Sequence, residues 1–419
     1  MDRRRGLLAA SQMGKNFKPI IDINNYLTIE ALEDGLTASL SVNACEYCVN
    51  GDGNWKSLAA GTATQSINSG QILSFRGELT PNSSNGIGTF TVNKNFNLKG
   101  NCMSMLFGDA GKDARSLDGK GSAFRRLFYN CTYLKEVSEN FLPALDTYDF
   151  CYLEMFRGCT SLTAAPNIYA TNAAYQCCMN MFEECTILTK APVLAATDLG
   201  YQCYRGMFSK CARLTKAPEL PATTLGVSCY AGMFSKCTSL ETAPILKASK
   251  LTYESYWNMF YGCSNLKKIT MLATDISEDR CLYSWIDGVA STGTFVKHPN
   301  MTSLPTGTSG IPSGWTVVND GEEIGGEEIG GSLTFPVTIS KNTSAQQVID
   351  FYNHIISQAN GNVSYYFSDD EIVYINRNGI DERIYHIYYC DGSLGYIEAE
   401  ISDGYYMDIY SNGRVDFWD

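Results

Sequence analysis

"CYAGMFSKC", residues 229–237, recurs along the chain at a fixed spacing. Four further copies read "CYLEMFRGC" (151–159), "CCMNMFEEC" (177–185), "CYRGMFSKC" (203–211) and "SYWNMFYGC" (255–263). Their phenylalanines lie 26 residues apart, at Phe156, Phe182, Phe208, Phe234 and Phe260. A constant period of this length predicts a solenoid, because one such unit cannot bury its apolar face without its neighbours.

Looser copies at both ends extend the array to about seven coils. An earlier one contains Phe128 and Cys131, and a later one reads "CLYSWIDGV" (281–289). Between the phrases run segments such as "RLTKAP" (213–218), which predict a short strand followed by a turn at proline. Within the phrase, apolar positions i, i+4, i+5 and i+8 share one stripe of a helix. We therefore expect a short helix in each coil and parallel strands stacked about 4.8 Å apart.

Twelve of the sixteen cysteines fall in the first or last position of the phrase. Free cysteine behaves as a small buried hydrophobe, so the pattern predicts a structural core ladder. Disulfides between neighbouring coils are one alternative. Zinc sites are another, but only three histidines are present and none repeats with the cysteines. A catalytic thiol would need a distinctive cysteine beside a base. The ladder comprises Cys151, Cys159, Cys177, Cys185, Cys203, Cys211, Cys229, Cys237 and Cys263 with the five phenylalanines above.

The charge of the chain is concentrated at one end. The net charge is −12, and residues 320–419 carry about 18 acidic and 4 basic side chains. This balance argues against nucleic acid as a partner. The start, "MDRRRGLLAASQMGK", has an apolar run too short for a signal peptide, and no stretch is long enough to span a membrane. We expect folding in a bacterial cytosol with reduced thiols and without membrane insertion.

The fold class expected is a mixed α/β multidomain protein. Residues 1–25 form an N-terminal attachment segment, and residues 26–100 show short strands with Gly/Asn turns that predict a β-sandwich. The solenoid spans 101–319, and its last part (291–319) breaks the period as a cap would. Residues 320–331 repeat a charged Gly-rich pentad that marks a linker. Residues 332–419 predict a small α+β domain.

In that last domain a capping-box pattern at Ser344 and Gln347 precedes an amphipathic helix, "VIDFYNHIISQA". Several strands with hairpin turns follow, which predicts an antiparallel meander with one helix. The domain is rich in tyrosine, a residue that suits both recognition surfaces and strands. The candidate binding residues at this tip are Tyr365, Tyr366, Tyr388, Tyr389, Tyr405 and Tyr406.

Three other patterns are weaker. Cys45 and Cys48 have the spacing of half a zinc site or a redox pair, but no second pair accompanies them. The acidic run 369–371 could bind Ca²⁺ or form a solvated turn, and His386 fits a packed strand residue. No cofactor is indicated by any of these patterns.

The repeat phrase resembles the BspA-type leucine-rich repeats found in gut bacteria and their bacteriophages. The resemblance covers about 101–318, including the closing run "VASTGTFVKHPNMTSLPTGTSGIPSGWTVVN". Residues 26–100 also resemble the β-sandwich that often precedes such arrays. The start "RRRGLLAAS" resembles that of virion structural proteins in phages of these bacteria. The resemblance implies a binding scaffold, and it leaves the bound partner open.

The leading functional hypothesis is a non-enzymatic virion component, a tail or capsid spike or fibre. Its N-terminal region would contact other virion proteins, and the terminal domain or concave strand face would bind a glycan or protein on the host surface. A homotrimer would suit a fibre. The candidate residues on the concave face are Thr189, Lys190, Thr215, Lys216, Glu241 and Thr242.

Two hypotheses from other classes stay open. A BspA-like adhesin on the bacterial surface would bind host matrix proteins or other cells, and it would require an export route. A hydrolase acting on surface glycans would require paired carboxylates, and the acidic residues of the terminal domain do not single out such a pair.

Overall fold

The structure is a computed structural model that describes residues 21–301 and 304–321 in full and the backbone of six strands between 373 and 418. The chain divides into two compact units, Met1–Ile329 and Gly330–Asp419, and each is described by itself. No helix among the described residues has the length and apolar character needed to cross a membrane.

The N-terminal region is built from strands, and the predicted N-terminal sheet is confirmed. A 3-10 helix, Ile23–Asn25, precedes the first strand. The strands are β1 (Leu27–Ala31), β2 (Ala38–Leu40), β3 (Cys45–Val49), β4 (Lys56–Leu58), β5 (Ile72–Arg76), β6 (Phe90–Val92) and β7 (Phe96–Gly100). Strand β1 pairs antiparallel with β5 on one side and β7 on the other, while β2 and β6 form a separate pair.

The N-terminal sheet continues into the solenoid. After α1 (Ser104–Phe107) and a 3-10 helix (Gly108–Lys112), strand β8 (Leu134–Val137) of the first coil pairs in parallel with β7. The large sheet therefore has the order β4-β3-β5-β1-β7-β8. Phe90 of β6 stacks on Phe128 of the first coil with 5.3 Å between ring centroids, so the two regions share one core.

The solenoid has about six turns of about 26 residues, and its repeat architecture is confirmed. The expectation of a helix in every coil is wrong, because the described residues contain one four-residue α-helix, α1, and are otherwise strands, turns and 3-10 segments. Of the expected mixed α/β class, the strand-rich solenoid and the N-terminal sheet are confirmed. The phrase itself is a run of consecutive turns. We call this side of the coils, residues 150–159, 176–185, 202–211, 228–237 and 254–263, the turn face.

Hydrogen bonding on the turn face alternates between two kinds of acceptor. The Tyr204 and Gly206 N–H groups donate to carbonyls of the next coil, 25 residues ahead, while the Arg205 and Met207 N–H groups donate three residues back. Every fourth residue has positive φ, as at Gln202 (φ 52°) and Gly206 (φ 63°). A helix would satisfy these N–H groups within one segment, whereas here half of them bind the adjacent coil.

The interior is a stack of aromatic rings and thiols. Phe156, Phe182, Phe208, Phe234 and Phe260 stack face to face with centroids 5.6–5.7 Å apart and interplanar angles of 8° or less. The nine cysteines of the ladder are buried among them. All fifteen described cysteines are free thiols.

The segment that follows each repeat phrase pairs with its neighbours through short parallel bridges, because a proline interrupts each strand. We call residues 163–168, 189–194, 215–220 and 241–246 the bridge face, after isolated bridges such as Ala164 to Lys190 and Lys216 to Thr242. Longer pairings form beside it and at the end of the array. They involve β9 (Asn172–Ala173), β10 (Asp198–Leu199), β11 (Lys268–Met271), β12 (Thr294–Lys297) and β13 (Thr316–Asn319).

The segment expected to cap the array extends its sheet. Strands β12 and β13 add to β11 in parallel register, with Ile269 opposite Phe295 and Phe295 opposite Val317. The Trp285 indole N–H donates to Gly310 C=O at 2.9 Å, which ties the last turn run to this segment.

In the second unit, β14 (Val373–Arg377) and β15 (Ile380–Tyr385) form an antiparallel pair. Strands β16 (Ile387–Tyr389), β17 (Tyr396–Ile401), β18 (Tyr405–Tyr410) and β19 (Val415–Trp418) form a four-stranded antiparallel meander in sequence order. The predicted helix, residues 322–331 of the linker and the acidic run 369–371 lie outside the described residues.

Candidate binding face of the solenoid

The structure places all six candidate residues of the strand side on the bridge face, and four of them in one groove. The groove has a volume of about 490 Å³ and lies between two consecutive coils. Its apolar part comprises Ala217, Pro218, Leu220, Ala243, Pro244 and Ile245. Its polar part comprises Thr215, Lys216, Glu219, Glu241, Thr242 and Lys247.

A proline explains why the first coil of the groove lacks a backbone bond to the coil before it. The Ala195 N–H donates to Ile168 C=O, and the Leu272 N–H donates to Leu246 C=O at 3.0 Å. Pro221 occupies the position equivalent to Ala195 one coil later and has no N–H to donate to the coil before it. From 218 to 225, no backbone group bonds to the backbone of another described residue. The coils that border the groove are joined on this face by the single bridge from Lys216 to Thr242.

The charged groups of the groove are available to a ligand. The side chains of Lys216, Glu219, Glu241 and Lys247 are exposed, and none forms an ion pair with a described residue. Ile245 is 51% exposed, which is high for a residue of its type. The groove therefore combines an apolar floor with two cations and two anions, a composition typical of protein and glycan recognition.

The other two candidates on this face are already engaged. The Thr189 hydroxyl donates to Thr163 C=O at 3.2 Å. The Lys190 ammonium pairs with Glu139 at 2.6 Å, outside the groove. The bridge face is thus uneven, and the two coils that carry Pro218 and Pro244 present unpaired charges around a cavity.

The tyrosine candidates of the second unit are only partly placed. Tyr388 and Tyr389 lie on β16, and Tyr405 and Tyr406 lie on β18, where Tyr406 is opposite Trp418. Tyr365, Tyr366 and His386 lie outside the described residues. Their role in recognition stays a prediction.

Burial favours the neutral form of several thiols. Burial raises the pKa of Cys45 to about 12 and that of Cys48 to about 11, and it raises the pKa of Cys131 and Cys263 to about 12. A thiol needs its thiolate form to act as a nucleophile or metal ligand, and burial disfavours that form. In the fully described ranges, no cluster of three or more His, Cys, Asp or Glu side chains could hold a metal ion.

A ladder of ion pairs on the turn face was missed by sequence reasoning. Arg126 and Arg157 both bind Glu154, Arg157 also binds Glu183 at 3.1 Å, and Lys210 binds Glu183 at 3.3 Å. Burial alone would raise the pKa of Glu154, but hydrogen bonds from Arg157 and Arg126 outweigh it, so this pKa is lowered. The 26 to 29 residue spacing of these charges is the signal that could have revealed the ladder.

No protein-family model, curated protein or solved structure matches the chain. The assignment of a function therefore depends on the site geometry and on the resemblance of the repeat phrase.

Proposed function

We propose that the protein is a non-enzymatic attachment component of a virion, with the solenoid as a rigid scaffold that binds a host-surface glycan or protein. The observation that carries the binding role is the groove around Pro218 and Pro244, with its apolar floor and unpaired charges. The resemblance of the repeat phrase to BspA-type repeats, and of "RRRGLLAAS" to virion protein starts, supports the location.

Rigidity supports the scaffold role. The aromatic stack and the hydrogen bonds of the turn face join each coil to the next, so a ligand in the groove meets a preformed surface. Preorganised sites bind more tightly because little conformational entropy is lost. Six coils at about 4.8 Å each extend roughly 30 Å, the length of a short spike subunit.

The location is tested by peptide mass spectrometry on density-purified phage particles and on washed envelopes of the uninfected producing strain. The peptide "APELPATTLGVSCYAGMFSK" (217–236) is expected in particles at the abundance of a structural protein. Its recovery only from envelopes would contradict a virion role and favour a surface adhesin.

The binding role is tested with a matched pair of variants. Ile245→Glu adds an anion to the groove, and Val193→Glu makes the same change two coils earlier, where the side chain is also about half exposed. Binding to host cells is expected to weaken at least about tenfold for Ile245→Glu and to stay unchanged for Val193→Glu, since a buried unpaired charge opposes association. Equal binding by both folded variants would place recognition elsewhere in the chain.

A further inference from the structure

A second cavity lies where the N-terminal sheet meets the first coils of the solenoid. It has a volume of about 640 Å³, within the range of sites for small ligands. We call it the junction pocket. The residues used below are Asn24, Asn25, Lys112, Arg115, Ser138, Asn140 and Tyr169, which all line it.

Close backbone packing forms one wall of the pocket. Gly100, with φ 76°, ends β7, and a Cβ there would lie 2.0 Å from Tyr26 C=O. Only glycine permits this approach, which holds the 3-10 helix Ile23–Asn25 against the strand. The buried Asn101 amide donates to Gly111 C=O at 3.0 Å and fixes the neighbouring 3-10 segment that ends at Lys112.

The pocket has a surplus of positive charge. Lys99 pairs with Glu30 at 2.6 Å, and Glu139 pairs with Lys190 at 2.6 Å, so these charges are neutralised. Lys112 and Arg115 form no ion pair with a described residue. Arg115 Nη1 donates to two backbone carbonyls at 2.9 Å, which orients the guanidinium and leaves its other N–H groups for a ligand.

Neutral polar groups surround the two cations. The Tyr169 hydroxyl donates to Asn140 Oδ1 at 2.9 Å, which leaves the Asn140 amide N–H groups available. Ser138 Oγ is buried and has no partner among the described residues. The Asn24 and Asn25 side chains likewise bond to no described residue. The exposed or half-buried amides of Asn24, Asn25 and Asn140 therefore offer donors and acceptors to a polar molecule in the pocket.

We propose that the junction pocket binds an anionic pyranose, a sugar ring that carries a carboxylate. Arginine binds a carboxylate through two parallel N–H groups, and Lys112 adds a second charge. The side-chain amides of Asn24, Asn25 and Asn140 match the alternating donors and acceptors of ring hydroxyls. Pro143 and Leu145 supply an apolar surface for the ring.

Two other occupants fit the pocket less well. A small inorganic anion would use the cations and make no contact with the asparagine amides. The N-terminal segment of this chain, residues 1–20, carries five basic and one acidic side chain, so its charge repels Lys112 and Arg115. The inference is independent of the groove on the bridge face and of the virion location.

The test is a titration of the full chain by calorimetry with N-acetylneuraminic acid and with glucuronic acid. Binding of at least one acid is expected. Its methyl ester, which is neutral, is expected to bind at least about tenfold more weakly. Equal binding of acid and ester would overturn the carboxylate assignment. Inorganic phosphate that binds as tightly as both sugars would reduce the pocket to a small-anion site and overturn the pyranose assignment.

Variants separate the pocket from the rest of the surface. Arg115→Gln and Lys112→Gln are each expected to weaken binding about tenfold, while Lys236→Gln on the turn face leaves it unchanged. Glu139→Gln is expected to strengthen binding, since it removes the one carboxylate of the pocket lining. Tyr169→Phe keeps the aromatic ring but removes the hydroxyl that orients the Asn140 amide. It is expected to weaken binding severalfold. Unchanged affinity in Arg115→Gln and Lys112→Gln would refute the site.

Discussion

The last cysteine of each repeat phrase both fills the core and bonds to the coil before it. Cys211 Sγ lies 3.2 Å from Phe182 C=O, and the same contact recurs at 3.0–3.2 Å for Cys159, Cys185, Cys237 and Cys263. The first cysteine of the phrase is equally buried, but Cys203 makes no such bond to a described residue. The two positions therefore select cysteine for different reasons.

Cys211→Ala is expected to lower the free energy of unfolding by about 1–2 kcal/mol, because it removes a packed sulfur and a weak hydrogen bond. Cys203→Ala removes a packed sulfur alone and is expected to cost about 0.5 kcal/mol less. Urea unfolding followed by circular dichroism measures both. An equal loss in the two variants would show that the thiol bond contributes nothing.

The buried thiols also make stability depend on pH. Unfolded thiols ionise near pH 8.5, whereas burial raises the pKa of Cys131 and Cys263 to about 12. Above pH 8.5 the unfolded chain loses protons that the folded chain keeps, so the stability from burial is present below this pH and is lost as pH rises toward 12. Urea midpoints measured at pH 7, 8, 9 and 10 are expected to be level at first and to fall above pH 9. A level midpoint up to pH 10 would contradict the raised pKa values.

At the scale of the element, the sequence predicts the period of the coil but not the backbone of its turn face. A nine-residue phrase with apolar residues at i, i+4, i+5 and i+8 fits a helix of 3.6 residues per turn and also a succession of four-residue turns. The distinguishing signal is the recurrence of Asn180, Gly206, Gly232 and Asn258 at one position, since asparagine and glycine tolerate positive φ.

The groove shows a similar limit. Pro221 is visible in the sequence, and its lack of an N–H is certain, but its effect depends on which carbonyl of the neighbouring coil it faces. Thr215, Lys216, Glu241 and Thr242 could be chosen from their regular spacing. The ion pair between Lys190 and Glu139 could not be predicted from the sequence. These residues are 51 positions apart and come together only through the fold.

Backbone protection is expected to differ between equivalent segments. The amides of Thr197 and Gly200 donate to the preceding coil at 3.0 and 2.7 Å, whereas those of Thr223 and Gly226 bond to no described residue. Hydrogen exchange by mass spectrometry is therefore expected to be faster for 222–226 than for 196–200. Equal protection of the two segments would mean that the coils close against each other in solution.

At the scale of the whole molecule, Trp285 lies at the end of the phenylalanine stack and beside Tyr256. Its ring lies 6.3 Å from that of Tyr256 and 6.2 Å from those of Phe260 and Phe295. Because each coil contacts only its neighbours, the stability of an array is close to a sum of coil and interface contributions. The end residue therefore determines how firmly the last coils are held.

Trp285→Ala is expected to lower the free energy of unfolding by about 3–5 kcal/mol, the range for a large aromatic residue in a core. Trp257→Ala is the control, since this half-buried ring lies on the turn face under Arg205. Thermal unfolding with hydrogen exchange of 267–271 would show whether the end of the array loosens first. A similar loss for both tryptophans would argue against an end-capping role.

The uniform stack of phenylalanines also bears on how such a chain changes length over evolutionary time. Phe182, Phe208 and Phe234 meet the same kind of ring above and below at nearly the same distance. Unequal recombination that deletes or duplicates one 26-codon unit would place coils with matching faces next to each other. The new neighbours would form the same ring contacts as the old ones. The molecule can therefore vary its reach in steps of one coil while the modules at its ends are inherited intact.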